Sequence, residues 1–401
     1  MSRKGESVNP EHFGDKPSGR LMLVGQGDAA YHAFVPHPLP PDLPLDPALV
    51  RTLSNADRAL GELAGLGRTI ANPNLLIRPF IHREAVLSSR IEGTRADLTD
   101  LYAYEAGQLA LSGVKPSPPE ADVREVLNYV HALEYGLQRL ATLPVSLRLL
   151  RELHERLMTG VRGDSATPGE SRRSQNWIGR PGSTLNDAEF VPPPVPEMQD
   201  ALYKLEKYFH QECAYPPLIR IGMIHYQFEA IHPFLDGNGR IGRLLISLLL
   251  VHWELLPLPL LYLSAFFERQ RQDYYALLLA VSKRSAWREW LVFFLCGVQE
   301  QARDAVARAK RLQDLQLEWR QRLQATPRTS ALLLQLVDEL FQTPAITVPQ
   351  VQKLLNVTHR AANQMVARLV HESILCPVPG QSRNRQFLAQ QILDVLNEDR
   401  Q

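Results

Sequence analysis

Cysteine is nearly missing from this chain. Three occur in 401 residues, Cys213, Cys296 and Cys376, far apart and without a C-x-x-C pair. That spacing excludes a disulfide framework and a thiolate zinc site, and reads as reduced residues of a cytoplasmic protein. An excess of either charge is also missing, with 44 Lys and Arg against 43 Asp and Glu. No bulk charge therefore draws the whole protein to nucleic acid or membrane, and any basic surface must be local. The opening MSRKGESVNPEHFGDKPSGR lacks the apolar core of a signal peptide. The most apolar stretch, residues 244–263, contains Ser247, His252, Glu254, Pro257 and Pro259, a mix that suits buried helices and not a membrane span. Internal repeats and low-complexity tracts are lacking as well. What remains is a soluble chain long enough for two or three domains.

Helical periodicity dominates from Asp46 onward. Residues 1–45, rich in Gly, Pro and charge, read as an N-terminal arm. Helices are expected near 46–70, 79–92, 97–111, 120–142, 145–160, 196–211, 217–231 and 239–254, and then near 259–267, 271–283, 286–323 and 328–342. PSPP at 116–119 separates a helical segment (46–115) from a central core (116–325). One stretch breaks the pattern. SQNWIGRPGSTLNDAEFVPPP, residues 174–194, has β-like runs at Trp177-Ile178 and Phe190-Val191 around PGSTLND turn chemistry, which suggests a hairpin in a helical domain, with a long surface loop as the plainer alternative.

The last block, 328–401, differs in character. A short helix, a turn at Asn356-Val357 and a second helix capped by Thr358 precede an alternating CPVPGQSRNRQFLA, the pattern of a winged helix-turn-helix. Ala362, Met365, Val366 and Leu369 form the buried face of the second helix, leaving Arg360 and Asn363 outward, with Arg383 and Arg385 on the wing. Such a domain serves either DNA or a protein partner, and Glu339, Glu372 and Asp394 nearby keep both open.

Residues 232–243 read HPFLDGNGRIGR, and Gly237, Gly239 and Gly242 spell G-x-G-x-x-G. A dinucleotide fold would need a strand before these glycines, but LIRIGMIHYQFEAI reads as a helix, so the loop joins two helices. The loop suits a polyphosphate. Gly237, Asn238 and Gly239 can adopt positive φ and turn backbone N–H groups into an anion nest, next to the positive end of the following helix. Arg240 and Arg243, three apart, can both reach phosphate oxygens. Asp236 offers one hard oxygen for Mg2+, and His232 is suited to general-base work. Taken singly, each residue has a plain structural explanation; their conjunction within twelve residues is what points to a site.

The stretch resembles the Fic family signature H-P-F-x-[D/E]-G-N-G-R-x-x-R, met at His232, Pro233, Phe234, Asp236, Gly237, Asn238, Gly239, Arg240 and Arg243. The likeness extends over roughly residues 45–300. It implies a mainly α Fic helical fold with a β-hairpin flap, and transfer of AMP from ATP to a Ser, Thr or Tyr hydroxyl of a target protein. It implies His232 as base, Asp236 as the Mg2+ ligand, Asn238 with the loop amides at the α-phosphate, and Arg240 and Arg243 on the β- and γ-phosphates. It further implies target binding along the flap (174–194) and a nucleotide pocket lined by the helix that holds Tyr274 and Tyr275, of which Tyr275 is the candidate ATP contact. Phosphotransferase relatives carry lysine where this chain has Gly239, which favours AMP transfer.

A second match is Ser88-x-x-x-Glu92-Gly93, which resembles the family's inhibitory [S/T]-x-x-x-E-[G/N] pattern. Gly93 reads as the residue just past a helix end, placing Glu92 in the last turn, where the dipole disfavours a carboxylate. A cation would relieve it. The resemblance supplies Arg243, and Arg90 and Arg95 are the local alternatives. In some relatives the same glutamate aligns a water that removes AMP. The sequence thus implies an autoinhibited adenylyltransferase, against the alternative of a DNA-binding transcriptional regulator with a Fic-type nucleotide-binding domain as sensor. It leaves monomer and homodimer open.

Overall fold

The structure is a computed structural model and describes residues 13, 18–27, 30–69, 73–105, 119–161, 167–180, 182–185, 187–325, 330–378 and 385–398. The chain begins its described part with an antiparallel pair, β1 (Gly19–Val24) and β2 (Tyr31–Pro36), in register from Gly19 opposite Pro36 to Val24 opposite Tyr31. This corrects the expected arm. Two six-residue apolar-rich runs flank a turn at Gly25 and Gly27, both at positive φ, and the Gly, Pro and charge around them masked the signal.

Helices follow. They are α1 (Pro47–Thr69), α2 (Asn74–Ile91), α3 (Leu98–Glu105), α4 (Glu120–Arg139), α5 (Leu147–Met158), α6 (Val195–His210), α7 (Pro217–Ile231) and α8 (Asn238–His252). Then come α9 (Ser264–Arg269), α10 (Arg271–Arg284), the long α11 (Trp287–Gln324) and α12 (Ala331–Gln342). The chain closes with β3 (Ala345–Thr347), α13 (Val348–Leu355), α14 (His359–His371), β4 (Cys376–Pro377), β5 (Gln386–Leu388) and α15 (Gln390–Asn397). Two boundaries moved. The second helix starts at Asn74, not at 79, and carries Pro79 inside it. The proline forgoes the bond an N–H there would make to the carbonyl four residues earlier, and packing against α12 and α15 carries the helix through. The helix expected at 259–267 starts at Ser264, because Pro257 and Pro259 withhold donors from the preceding stretch. Residues 106–111 of the third expected helix and Arg383 of the expected wing lie outside the described residues.

Two compact units emerge, and both are discontinuous in sequence. The first comprises residues 1–61, 131–255 and 263–301. Its centre is α7, buried on nearly every side, with α6, α8, α10 and β2 packed around it. The second comprises residues 62–130, 256–262 and 302–401. In it α2 is covered by α12 and α15, and α3 lies against β3 and α15. The Arg83 guanidinium of α2 donates to the Leu396 carbonyl of α15 at 2.9 Å, and Glu105 of α3 accepts from both Arg78 (3.2 Å) and His82 (3.1 Å) of α2. A three-stranded sheet in the order β3-β5-β4 completes this unit.

Candidate active site

The residues of HPFLDGNGRIGR occupy the turn between α7 and α8 in the first unit. α7 ends when His232 adopts the left-handed conformation (φ 49°, ψ 61°), its N–H still bonded to the Phe228 carbonyl at 3.0 Å. Its Nδ1 lies 3.3 Å from the Glu229 carbonyl. A carbonyl only accepts, so Nδ1 carries the proton and Nε2 is the basic nitrogen. Such a conformation is uncommon for a residue with a β-carbon and is held by its surroundings.

Arg172 supplies much of that hold. Its Nε donates to the His232 carbonyl at 3.0 Å, one terminal nitrogen to Ser174 at 3.1 Å and the other to the Pro193 carbonyl, while its own N–H donates to the Pro233 carbonyl at 2.9 Å. The side chain is 1 % exposed, and burial pulls the guanidinium down to about 10, which leaves it charged at neutral pH. A planar fork satisfying three carbonyls is a task lysine cannot perform. Sequence reasoning passed over Arg172, since nothing in ESRRSQN separates it from the exposed Arg173.

His154 braces the other end of the loop. Its Nδ1 accepts the Gly169 N–H at 2.9 Å, so Nε2 carries the hydrogen and donates to the Asp236 carbonyl at 3.0 Å. The ring stacks on Phe234 at 3.8 Å with 6° between planes. Burial pushes its pKa down to about 4, so it is neutral at physiological pH. The available signal was a lone polar residue inside the apolar stripe Leu150, Leu153, Leu157 of α5.

Within the loop, only Gly237 of the three nest candidates takes positive φ (80°); Asn238 and Gly239 are already helical. The expected run of left-handed residues is therefore a single one, and α8 begins immediately after it. A β-carbon at Gly237 would lie 2.9 Å from the Met158 sulfur. The Asn238 carboxamide is engaged locally: its oxygen accepts the Phe234 N–H at 2.9 Å and its nitrogen donates to the Phe234 carbonyl at 2.8 Å. Phe234, 2 % exposed, anchors the loop in the core.

Arg240 and Arg243 lie in the first two turns of α8 and are 3 % and 2 % exposed. Arg240 approaches the half-exposed Asp236 carboxylate at 3.6 Å. Two buried guanidinium groups beside a helix N-terminus make a strongly anion-seeking environment. Among the described residues no group of three His, Cys, Asp or Glu side chains could hold a metal unaided. A Mg2+ at Asp236 would thus take its other ligands from phosphates and water, the coordination that ion favours. Asp236 Oδ1 accepts the Gly237 N–H at 2.6 Å, and its exposed carboxylate fits that role.

Of the tyrosine pair, Tyr274 is core: its hydroxyl donates to His225 Nε2 at 2.8 Å, and His225 Nδ1 in turn donates to the Gly242 carbonyl of α8 at 3.1 Å. Burial pushes His225 down to about 3. Tyr275 is 43 % exposed with the Arg271 guanidinium 5.9 Å over its ring. The stretch 174–194 forms a narrow hairpin with one bridge, Ile178 opposite Phe190, whose Trp177 and Ile178 are exposed. Its far side is tied to β2, where the Phe34 N–H donates to the Val191 carbonyl at 2.8 Å. Ser88 and Glu92 lie in the second unit. Ser88 is buried, and Glu92 caps α2 with its side chain exposed. Gly93 (φ 101°) follows as expected, its N–H bonded to Arg90 and that of Thr94 to Ser89.

Residues 50–138 match the Fic/DOC family N-terminal region and residues 144–250 the Fic/DOC family itself. The chain is 29 % identical to the protein adenylyltransferase Fic of Drosophila virilis over 164 residues, 40 % of this chain and 31 % of that protein. It is 29 % identical to the Drosophila grimshawi protein of the same name over 188 residues, 46 % and 35 % of the two chains. It thus spans about a third of the length of the curated relatives it matches. Among solved structures, a Fic family protein from Desulfovibrio desulfuricans shares the fold with a TM-score of 0.55 at 20 % identity, covering 90 % of this chain and 100 % of that one. A Fic domain containing signaling protein from Bacteroides thetaiotaomicron gives 0.50 at 17 % identity, over 65 % and 96 %. The fold is accordingly a mainly helical Fic fold with a small N-terminal β-hairpin and a small C-terminal sheet. No helix among the described residues is long and apolar enough to cross a membrane.

Proposed function

We propose that the chain, a Fic/DOC family protein, transfers AMP from ATP to a Ser, Thr or Tyr hydroxyl of a target protein. The observation that carries the reading is the loop itself. One histidine with a basic Nε2, one exposed carboxylate and two buried guanidinium groups lie at or beside a helix N-terminus within twelve residues, with Asp236 3.6 Å from Arg240.

In this reading, His232 Nε2 takes the proton of the acceptor hydroxyl as its oxygen bonds to the α-phosphorus and the bond to the β-phosphate oxygen breaks. Arg240 and Arg243 hold the β- and γ-phosphates, so the departing pyrophosphate stays neutralised. The Gly237 turn and the first amides of α8 face the α-phosphate, with the Asn238 side chain acting through the backbone it fixes. Mg2+ bound at Asp236 would spread phosphate charge. Tyr275 borders the nucleotide, and the exposed Trp177-Ile178 edge receives the target segment as an added strand.

Control falls to α2. Glu92 sits at the negative end of that helix, where a cationic partner stabilises it most; we assign Arg243 as that partner and Ser88, one turn earlier, as its support. With Glu92 on Arg243, the γ-phosphate is displaced and AMP transfer is slowed. The C-terminal elements α12 to α15 read as a winged helix-turn-helix.

Incubation of the full chain with a hydroxyl-bearing protein substrate, or with itself, in the presence of Mg2+ and α- or γ-labelled ATP tests the reaction. Covalent α-label without γ-label is expected. Covalent γ-label would mean phosphoryl transfer and sink the reading.

A further inference from the structure

Within the second unit, α13 and α14 pack against each other around a tight turn in which Asn356 is left-handed (φ 51°, ψ 48°). Both helices start on side-chain caps: Thr347 with Gln350 in a reciprocal capping box, and Thr358 accepting from Ala361. α14 buries Ala362, Val366 and Leu369 and turns Arg360, Asn363, Gln364 and Ala367 to solvent. Positions 360, 363, 364 and 367 form one continuous helical face.

The charge on these helices is one-sided. From 348 to 371 there is no aspartate or glutamate, whereas Lys353, Arg360 and Arg368 are present. In a chain whose charges balance overall, this is the local basic surface that composition alone could not locate. α14 has no tryptophan or tyrosine and exposes no large apolar side chain. Of the residue types that dominate protein interfaces, its outward face holds only Arg360. What it offers is one guanidinium and two carboxamides. Those groups match the guanine and adenine edges in the major groove, where Arg pairs with guanine and Asn or Gln with adenine.

We propose that the outward face of α14 is a duplex-DNA-binding surface, with the helix lying in the major groove. A helix of about 10–12 Å diameter fits a groove about 12 Å wide. Ala367 lets the axis approach the base edges closely. Lys353 of α13 and the exposed Arg385, whose guanidinium lies 5.9 Å over Phe387, supply contacts to the phosphates that fix the register. This surface is independent of the transferase reading: its elements lie wholly within the second unit, and DNA binding requires no nucleotide.

The test uses the full chain, because α12 and α15 share a core with α2. A fluorescent random-sequence duplex is titrated by anisotropy, without ATP, at about 50 and about 200 mM salt. Two phosphate contacts, from Lys353 and Arg385, predict an affinity loss of about twelvefold between these conditions. Lys353→Ala should lower the slope of log K against log salt by about one. Asn363→Ala should retain non-specific binding but flatten the preference that wild type selects from a random pool. Circular dichroism on each variant confirms folding. Equal affinity of wild type and the K353A/R360A/N363A triple variant would overturn the proposal, as would absence of binding at the lower salt. Self-association that the triple variant loses, with no duplex bound, would assign the face to a protein partner and overturn it equally.

Discussion

Arg172 and His232, sixty residues apart in sequence, are joined by a 3.0 Å hydrogen bond from the guanidinium Nε to the histidine carbonyl. The proposed base is thereby fixed through its backbone, in a left-handed conformation that it would not keep on its own. Arg172→Lys should lower kcat for AMP transfer about a hundredfold with little change in the KM for ATP, the usual result of misplacing a reacting group by about an ångström. Lysine keeps the charge but cannot reach the carbonyls of His232, Ser174 and Pro193 together. Steady-state kinetics on a folded variant checks this; a rise in KM alone would show that Arg172 serves nucleotide binding.

In the proposed reaction His232 acts on the acceptor and not on the phosphates. His232→Ala should abolish covalent labelling and leave ATP affinity, measured by calorimetry, within a few-fold of wild type. Asp236→Ala should show the opposite pattern, with nucleotide binding that no longer responds to Mg2+. Normal AMP transfer by the Asp236 variant in Mg2+ would remove the metal-ligand assignment.

Two of the buried histidines, His154 and His225, predict acid sensitivity. His154 and His225 have folded pKa values of about 4 and about 3, while in the unfolded chain histidine titrates near about 6.5. Below that pH the unfolded state takes up protons that the folded state refuses, so stability falls as pH drops from about 6.5. The slope approaches about 1.4 kcal/mol per pH unit for each histidine and levels off only below the folded values. Denaturant unfolding at several pH values between 7 and 4 should show this decline, and His154→Gln should flatten it. A profile unchanged by that substitution would mean that His154 takes up its proton as readily in the folded protein as in the unfolded chain.

Release of the proposed brake is the third chemical test. Glu92→Gly should raise self- or target-labelling by roughly a hundredfold, the cost of holding the α-phosphorus out of line with the attacking hydroxyl. Ser88→Ala, which removes only a supporting hydroxyl, should activate less. Equal labelling by wild type and Glu92→Gly at matched ATP and Mg2+ would leave Glu92 a helix-end residue and nothing more.

The helix–loop–helix around HPFLDGNGRIGR was legible because a helical period, a dense run of glycines and fixed charges all coincide there. The end of α2 was equally legible, since Gly93 has the one backbone freedom that its position demands. Its start was not: Pro79 is a strong local stop signal that the covering α12 and α15 override. The β1–β2 pair was lost when composition was averaged over 45 residues, although GRLMLV and YHAFVP each carry the strand signal. Arg172 and His154 stayed hidden for a different reason. Their roles come from contacts 60 and 82 residues away, which no local pattern encodes. Likewise, only packing shows that Tyr274 turns inward to His225 while its neighbour faces out.

The cover on α2 comes from the far end of the chain, and this sets an order of events at the ribosome. α2 ends at Ile91 and α12 begins at Ala331. At about 5–20 residues per second, the intervening stretch takes roughly 10–50 s to synthesise. Throughout that interval α2 has its neighbours α3 and α4 but not the cover of α12 and α15. The HPFLDGNGRIGR turn and the helices on both sides of it emerge first. A nascent chain therefore completes the turn and helices of the proposed site before the helix carrying Glu92 has gained the cover of α12 and α15.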